Sequence, residues 1–184
     1  MNCSLLAALF ISPMIAAPAP KNKEVVSYCA TRVGDTLEYE QRDGATVTGG
    51  FTDVVTKMEN KGTEIRVSIT RNYPATVTSF STFAISAEGV FRIISGDLDK
   101  RAVVLKLPAK VGTEWQDAGQ TYKIAKEEEI ETPAGKFKAI RIDSSTTGAP
   151  VMTQFWYALG IGLLKVSSPI SDDQTILKSF KPGK

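Results

Sequence analysis

The chain has 184 residues, a net charge of +2 and no histidine. Without imidazole there is no Ser-His-Asp triad, no Cys-His dyad and none of the usual catalytic zinc sites. Charges of both signs are interspersed with no basic stripe, which argues against a nucleic-acid surface, and one domain of this length buries roughly 70% of its unfolded surface without help from disulfide or metal.

The first element in chain order is the apolar run from Leu5 to Ala17, broken only by Ser12 and Pro13. It is too short for a bilayer-spanning helix, which needs about 20 apolar residues. It leads into the small residues Ala16-Ala17-Pro18-Ala19-Pro20. This is the pattern of a signal peptide over residues 1–20, with cleavage near 16–20 and residues 21–184 as one exported domain without a transmembrane helix. The run lacks a preceding Lys or Arg, which points to a start upstream of Met1. Cys3 precedes the run and is not placed for lipid attachment. Once the signal is removed, Cys29 is a lone cysteine, read as a small buried hydrophobe.

From Thr36 onward the pattern is strand after strand. Thr36–Gln41 alternates, with Leu37 and Tyr39 opposite Glu38 and Glu40, and Asp43-Gly44 supplies a hairpin turn. Val47–Lys57 follows, with Gly49-Gly50 marking a bulge or bend. Glu64–Thr70 alternates without error, Ile65, Val67 and Ile69 on one face. Further strands are expected at 76–86, 90–94, 103–107, 120–131, 136–144, 152–157, 163–166 and 174–180, separated by turn residues such as Glu88-Gly89 and Pro133-Ala134-Gly135. Lys and Glu content makes 122–131 the best helix candidate. The Pro-Ala-Gly turn after it leads into another alternating segment, so a hairpin is expected instead. The fold class is all-β: an antiparallel meander forming a strongly curved sheet, a sandwich or a partly open barrel.

The two halves echo each other. Val33-Gly34-Asp35 is matched by Val111-Gly112-Thr113, Lys57-Met58-Glu59 by Lys126-Glu127-Glu128, and Phe83-Ala84-Ile85 by Phe155-Trp156-Tyr157. The offsets are 78, 69 and 72 residues. The expectation is an internal repeat, 33–94 and 111–167, of two tandem five-strand units that together close one core.

Tyr28-Cys29 before Val33-Gly34-Asp35, Leu107-Pro108 before Val111-Gly112 and Trp115, Pro133-Ala134-Gly135-Lys136-Phe137, and Phe155-Trp156-Tyr157 before Gly160-Ile161-Gly162-Leu163 occur in this order. Taken together they resemble a loosely defined set of exported bacterial β-rich proteins, some labelled TapB-like and others domains of unknown function. The resemblance spans roughly residues 28–167. It implies fold and a periplasmic or secreted location. It brings no catalytic residues with it.

The heaviest apolar residues, Phe83, Trp115, Phe155, Trp156 and Tyr157, are the candidate ligand-binding set, because small-molecule sites are largely apolar and concave. Core packing is the competing account for each. Three adjacent aromatics on a strand cannot share a face, so Trp156 points away from Phe155 and Tyr157. Glu127, Glu129 and Glu131 would share one strand face; an exposed edge accounts for them more economically than glycosidase chemistry. Gly160-Ile161-Gly162 reads as a tight turn, not a dinucleotide fingerprint. No catalytic residue, metal site or cofactor is expected. The leading functional reading is a non-enzymatic exported protein binding an apolar, lipid-like ligand, with internal walls including Phe83 and Tyr157. The alternative is an envelope protein-interaction module with an exposed apolar patch around Trp156. A carboxylate hydrolase is a remote third.

Overall fold

The computed structural model describes residues 27–74, 78–94, 100–146 and 148–184. The apolar run 5–17, Cys3 and the cleavage region lie outside the described residues. Those described form twelve strands: β1 (Thr36–Asp43), β2 (Thr46–Asn60), β3 (Glu64–Asn72), β4 (Thr78–Ser86), β5 (Gly89–Ile93), β6 (Arg101–Lys106), β7 (Glu114–Asp117), β8 (Gln120–Thr132), β9 (Gly135–Thr146), β10 (Thr153–Ala158), β11 (Gly162–Ser167) and β12 (Asp173–Lys181). Eleven fall where alternation and turn residues predict them. The segment considered for a helix is the long strand β8, hairpinned onto β9 through the Pro133-Ala134-Gly135 turn. The unforeseen strand is β7, whose four residues are too few to show a period.

All neighbours are antiparallel, in the order β6-β5-β4-β3-β2-β1-β12-β11-β10-β9-β8-β7. The meander therefore runs round a circle. The first and last strands, β1 and β12, pair in its middle, from Thr36 opposite Lys181 to Asp43 opposite Asp173. The two sheet edges, β6 and β7, are consecutive in sequence and face each other across a seam. At the seam the Val103 amide donates to Asp117 Oδ2 at 2.8 Å. The result is a nearly closed, barrel-like sheet without helices among the described residues.

Curvature comes from bulges, where one strand carries an extra residue and bends. They occur on β2 beside Gly49 and at Thr56, on β8 at Ala125, on β6 at Val104, on β11 at Leu164 and on β12 at Lys178. Gly50 lies flat against β1: a Cβ there would sit 2.5 Å from the Tyr39 carbonyl oxygen. The pair Gly49-Gly50 thus lets two backbones approach where the sheet turns.

The core fills the inside of this barrel. Val55, Val67, Ile85, Leu105, Ile124, Ile142, Leu164 and Leu177 are fully buried and come from eight different strands. Each stabilises the fold by about 1.5–3 kcal/mol relative to an exposed position. The Tyr39 hydroxyl donates to the Leu163 carbonyl at 2.8 Å, tying β1 to β11. Asp35, buried just before β1, accepts from the Arg32 amide at 2.9 Å and from the Gly183 amide at 2.8 Å, so the chain beyond β12 is held against the entry to β1.

The two halves share a local geometry. Gly34, at φ +89°, donates to the Val55 carbonyl at 2.8 Å, and the Val55 amide donates to Asp35 at 2.9 Å. Gly112, at φ +90°, donates to the Ile124 carbonyl at 2.8 Å, and the Ile124 amide donates to Thr113 at 2.9 Å. In both halves the receiving strand bulges immediately afterwards, before Lys57 and before Lys126. The spans 33–94 and 111–167 hold five strands each, β1–β5 and β7–β11, and each is followed by one more, β6 and β12.

Candidate functional site: the barrel interior

Side chains on alternate positions of each strand point into the barrel. Between them lie two adjoining chambers. The inner one, of about 120 Å³, is walled by apolar residues such as Leu37, Ile69, Val90 and Ile161. The outer one, of about 250 Å³, lies by the β6–β7 seam between Phe155, Ile142, Val103 and Tyr122. Phe83, Val104 and Tyr157 wall both. Val104 is the bulged residue of β6, which is why it and Val103 can both face the outer chamber.

A small set of polar groups converges on these apolar walls. Asp53 and Arg71 are cross-strand partners on β2 and β3. Arg71 donates through Nε to Oδ1 and through Nη2 to Oδ2, both at 2.8 Å. Its guanidinium carbon lies 3.9 Å from the centre of the Phe51 ring, which in turn stacks on Tyr39 at 4.9 Å. Burial works against the Arg71 charge, but the Asp53 hydrogen bonds and charge outweigh it and hold the guanidinium more firmly protonated than usual. Burial pushes the Tyr39 hydroxyl well above its ordinary range, reinforced by the Asp53 charge. The Tyr157 hydroxyl is pushed up in the same way by burial and by Cys29 and Tyr122, against a smaller opposing effect of Arg92. Both phenols are therefore neutral hydrogen-bond donors at neutral pH. Burial, with Asp35 and Asp53 nearby, pushes the Cys29 thiol up to about 12, so it is not a thiolate nucleophile.

Of the aromatic residues singled out from the sequence, Phe83, Phe155 and Tyr157 line the chambers. Trp115 sits on β7 and stacks on Tyr122 with ring centres 5.5 Å apart, so it backs the outer chamber through that ring. Among the described residues its buried Nε1 has no hydrogen-bond partner. Trp156 occupies the opposite face of β10, as alternation requires. It is nevertheless buried, at 7% exposure, so Trp156 itself presents no exposed apolar ring. Polar neighbours cover it: Nε1 donates to Glu128 Oε1 at 2.9 Å, Lys165 Nζ lies 5.2 Å from the ring centre, and Arg141 is its partner on β9.

Glu127 is the cross-strand partner of Ile140 and so shares its core-side face, whereas Glu128, bonded to the outward Trp156, lies on the opposite face of β8. Glu127, Glu129 and Glu131 are exposed, and the strand half that carries them extends beyond the reach of β7, which pairs only with 120–123. Burial pushes Glu128 up, but Lys126 at 2.8 Å and the Trp156 hydrogen bond outweigh it, and its carboxyl lies below the ordinary value. Among the described residues no group of three or more His, Cys, Asp or Glu could hold a metal ion.

Sequence reasoning did not single out Asp53, Arg71, Arg92 or Tyr39 as site residues. The signal was present for the first two. Phe51, Asp53 and Val55 share a face, as do Val67, Ile69 and Arg71, so a charge interrupts each inward row. Inward charges are uncommon and are paired when they occur.

No family model and no curated protein matches this chain. Two solved structures are similar to it. A "putative exported protein with YmcC-like fold" from Bacteroides fragilis aligns with TM-score 0.62 at 12% identity, covering 85% of this chain and 99% of the other. A "putative lipoprotein" from Parabacteroides distasonis aligns with TM-score 0.58 at 12% identity, covering 86% of this chain and 100% of the other. The likeness is one of fold.

Proposed function

We propose that this is an exported envelope protein that holds an apolar, lipid-like ligand inside its barrel without transforming it. The carrying observation is the pair of adjoining chambers, an inner one within the core and an outer one that opens to solvent at the seam, walled in common by Phe83, Tyr157 and Val104. Together, at 120 and 250 Å³, they fall at the lower end of small-molecule sites, which begin at about 300 Å³, and they have the usual make-up of such sites: apolar walls with a few placed polar groups. In the inner chamber the charged groups form a closed ion pair, Asp53 with Arg71, beside the neutral phenols Tyr39 and Tyr157, a set suited to orienting a ligand more than to breaking bonds. The apolar segment 5–17 and the description of both structural neighbours support export. The matched Gly34–Val55 and Gly112–Ile124 connections support an origin by tandem duplication within a single domain.

The test is native mass spectrometry of the protein purified from a bacterial envelope. The expected result is a mass excess that disappears on denaturation and solvent extraction and returns on incubation with lipid extract. A bare polypeptide mass that lipid extract leaves unchanged would overturn the proposal.

A further inference from the structure

The two chambers are not equivalent in charge. In the inner one, Arg71 is neutralised: both oxygens of Asp53 are spent on it. In the outer one, Arg92 on β5 is the cross-strand partner of Phe83 and therefore shares its inward face. Among the described residues Arg92 has no ion pair, and it is exposed, so its guanidinium stands where the outer chamber meets solvent. The acid nearest to it in the chamber wall, Asp117, commits Oδ2 to the Val103 amide. Tyr157 and Tyr122 line the same wall, and Tyr157 is held in its protonated, hydrogen-donating form.

Resting on the lumen as the ligand site, we propose that the ligand is a single-chain amphiphile with a carboxylate head. The head pairs with Arg92 at the seam, and the chain passes Phe83 and Tyr157 into the inner chamber. A guanidinium presents a planar fork of donors that matches a carboxylate, with both oxygens engaged. A monoanion fits better than a phosphate dianion because the Asp117 charge faces the same opening and opposes a second negative charge. The size follows from the volumes. A cavity of about 150 Å³ in another protein accepts benzene, so chambers of 120 and 250 Å³ accommodate a chain of roughly a dozen carbons.

The experiment is calorimetric titration of the delipidated protein with dodecanoate and with dodecanol, in wild type, Arg92→Gln and Phe83→Trp. Arg92 is exposed, so its replacement leaves the core intact. The expected result is that wild type binds dodecanoate at least about tenfold more tightly than dodecanol, the effect of one good charged hydrogen-bonded contact. Arg92→Gln abolishes most of that preference by weakening dodecanoate far more than dodecanol, while Phe83→Trp, which fills the wall common to both chambers, weakens both ligands. If Arg92→Gln binds dodecanoate as tightly as wild type, the head does not sit on Arg92 and the inference is overturned, while the lumen reading stands. If Phe83→Trp binds both ligands undiminished, or wild type binds neither, the lumen itself is not the site and both readings are overturned.

Discussion

The Asp53–Arg71 pair sets a quantitative test of the barrel interior. Asp53 is 7% exposed, and both its oxygens accept from one guanidinium. Arg71→Met keeps much of the packing volume but leaves the carboxylate buried with no partner. Removing one member of a buried pair costs about 3–5 kcal/mol. The Arg71 side chain is 35% exposed, so water reaches part of the vacated space and the low end, about 3 kcal/mol, is expected. Loss of the contact over Phe51 contributes about 0.5–1 kcal/mol within that total. With a urea dependence of about 2 kcal/mol per molar, the unfolding midpoint should fall by about 1.5 M at pH 7. The double replacement Asp53→Leu with Arg71→Met removes both charges, and should return to within about 1 kcal/mol of wild type. Equilibrium urea unfolding followed by tryptophan fluorescence measures all three proteins. A single variant that loses less than about 1 kcal/mol, or a double variant as unstable as the single one, refutes the argument that desolvation of an unpaired Asp53 dominates.

Four further outcomes follow from the geometry. Trp156→Phe removes the hydrogen bond to Glu128 but retains the ring contact, so thermal unfolding should show a loss of about 1.5 kcal/mol; no change in Tm would mean the bond contributes nothing. Gly183→Ala places a Cβ 2.2 Å from the Val33 carbonyl oxygen and 2.7 Å from the Asp35 amide nitrogen, so it should unseat the chain end from Asp35 and cost about 1–3 kcal/mol in a urea titration, whereas wild-type stability would show that the end does not dock. Glu64 is held below the ordinary carboxylate value by hydrogen bonds from Arg101 and Arg66, so its contribution is present above the unfolded value of about 4.3 and is lost as pH falls through the lower folded value. The stability gap between wild type and Glu64→Gln, no more than about 1 kcal/mol in this partly solvated cluster, should therefore be present at pH 7 and vanish near pH 2; a gap that grows on acidification reverses the sign. With Cys3 replaced by Ser, a thiol reagent at pH 8 should label Cys29 only after unfolding, because the thiol is buried and its pKa is pushed up to about 12; rapid labelling of the native protein would contradict that burial.

Much of this fold was legible along the chain. Period-two alternation such as Ile65-Val67-Ile69 is a local property: a half-buried strand must put apolar residues on every second position wherever it lies in the sheet. Turns such as Asp43-Gly44 are likewise local, since φ at Gly44 is +57° and few other residues adopt it readily. The same rule separated Trp156 from Phe155 and Tyr157 before any packing was known. It could not say that Trp156 would be buried, because its cover comes from Glu128 and Lys165, residues on two other strands. The strand β7 escaped notice because four residues contain too little pattern, and it pairs only because β8 is beside it.

The choice between sandwich and barrel depended on tertiary structure. Closure requires that bulges at Thr56, Ala125 and Val104 add up to enough curvature to bring β6 and β7 together, and that the Asp117 carboxylate meets the Val103 amide across the seam. None of these is a property of a single segment. The same holds for the candidate site. Phe83, Phe155 and Tyr157 stood out by size, but Asp53, Arg71 and Arg92 become meaningful only when strands far apart in sequence enclose a common space. Alternation assigns each side chain to a face, and only the closed sheet decides which face encloses the chambers.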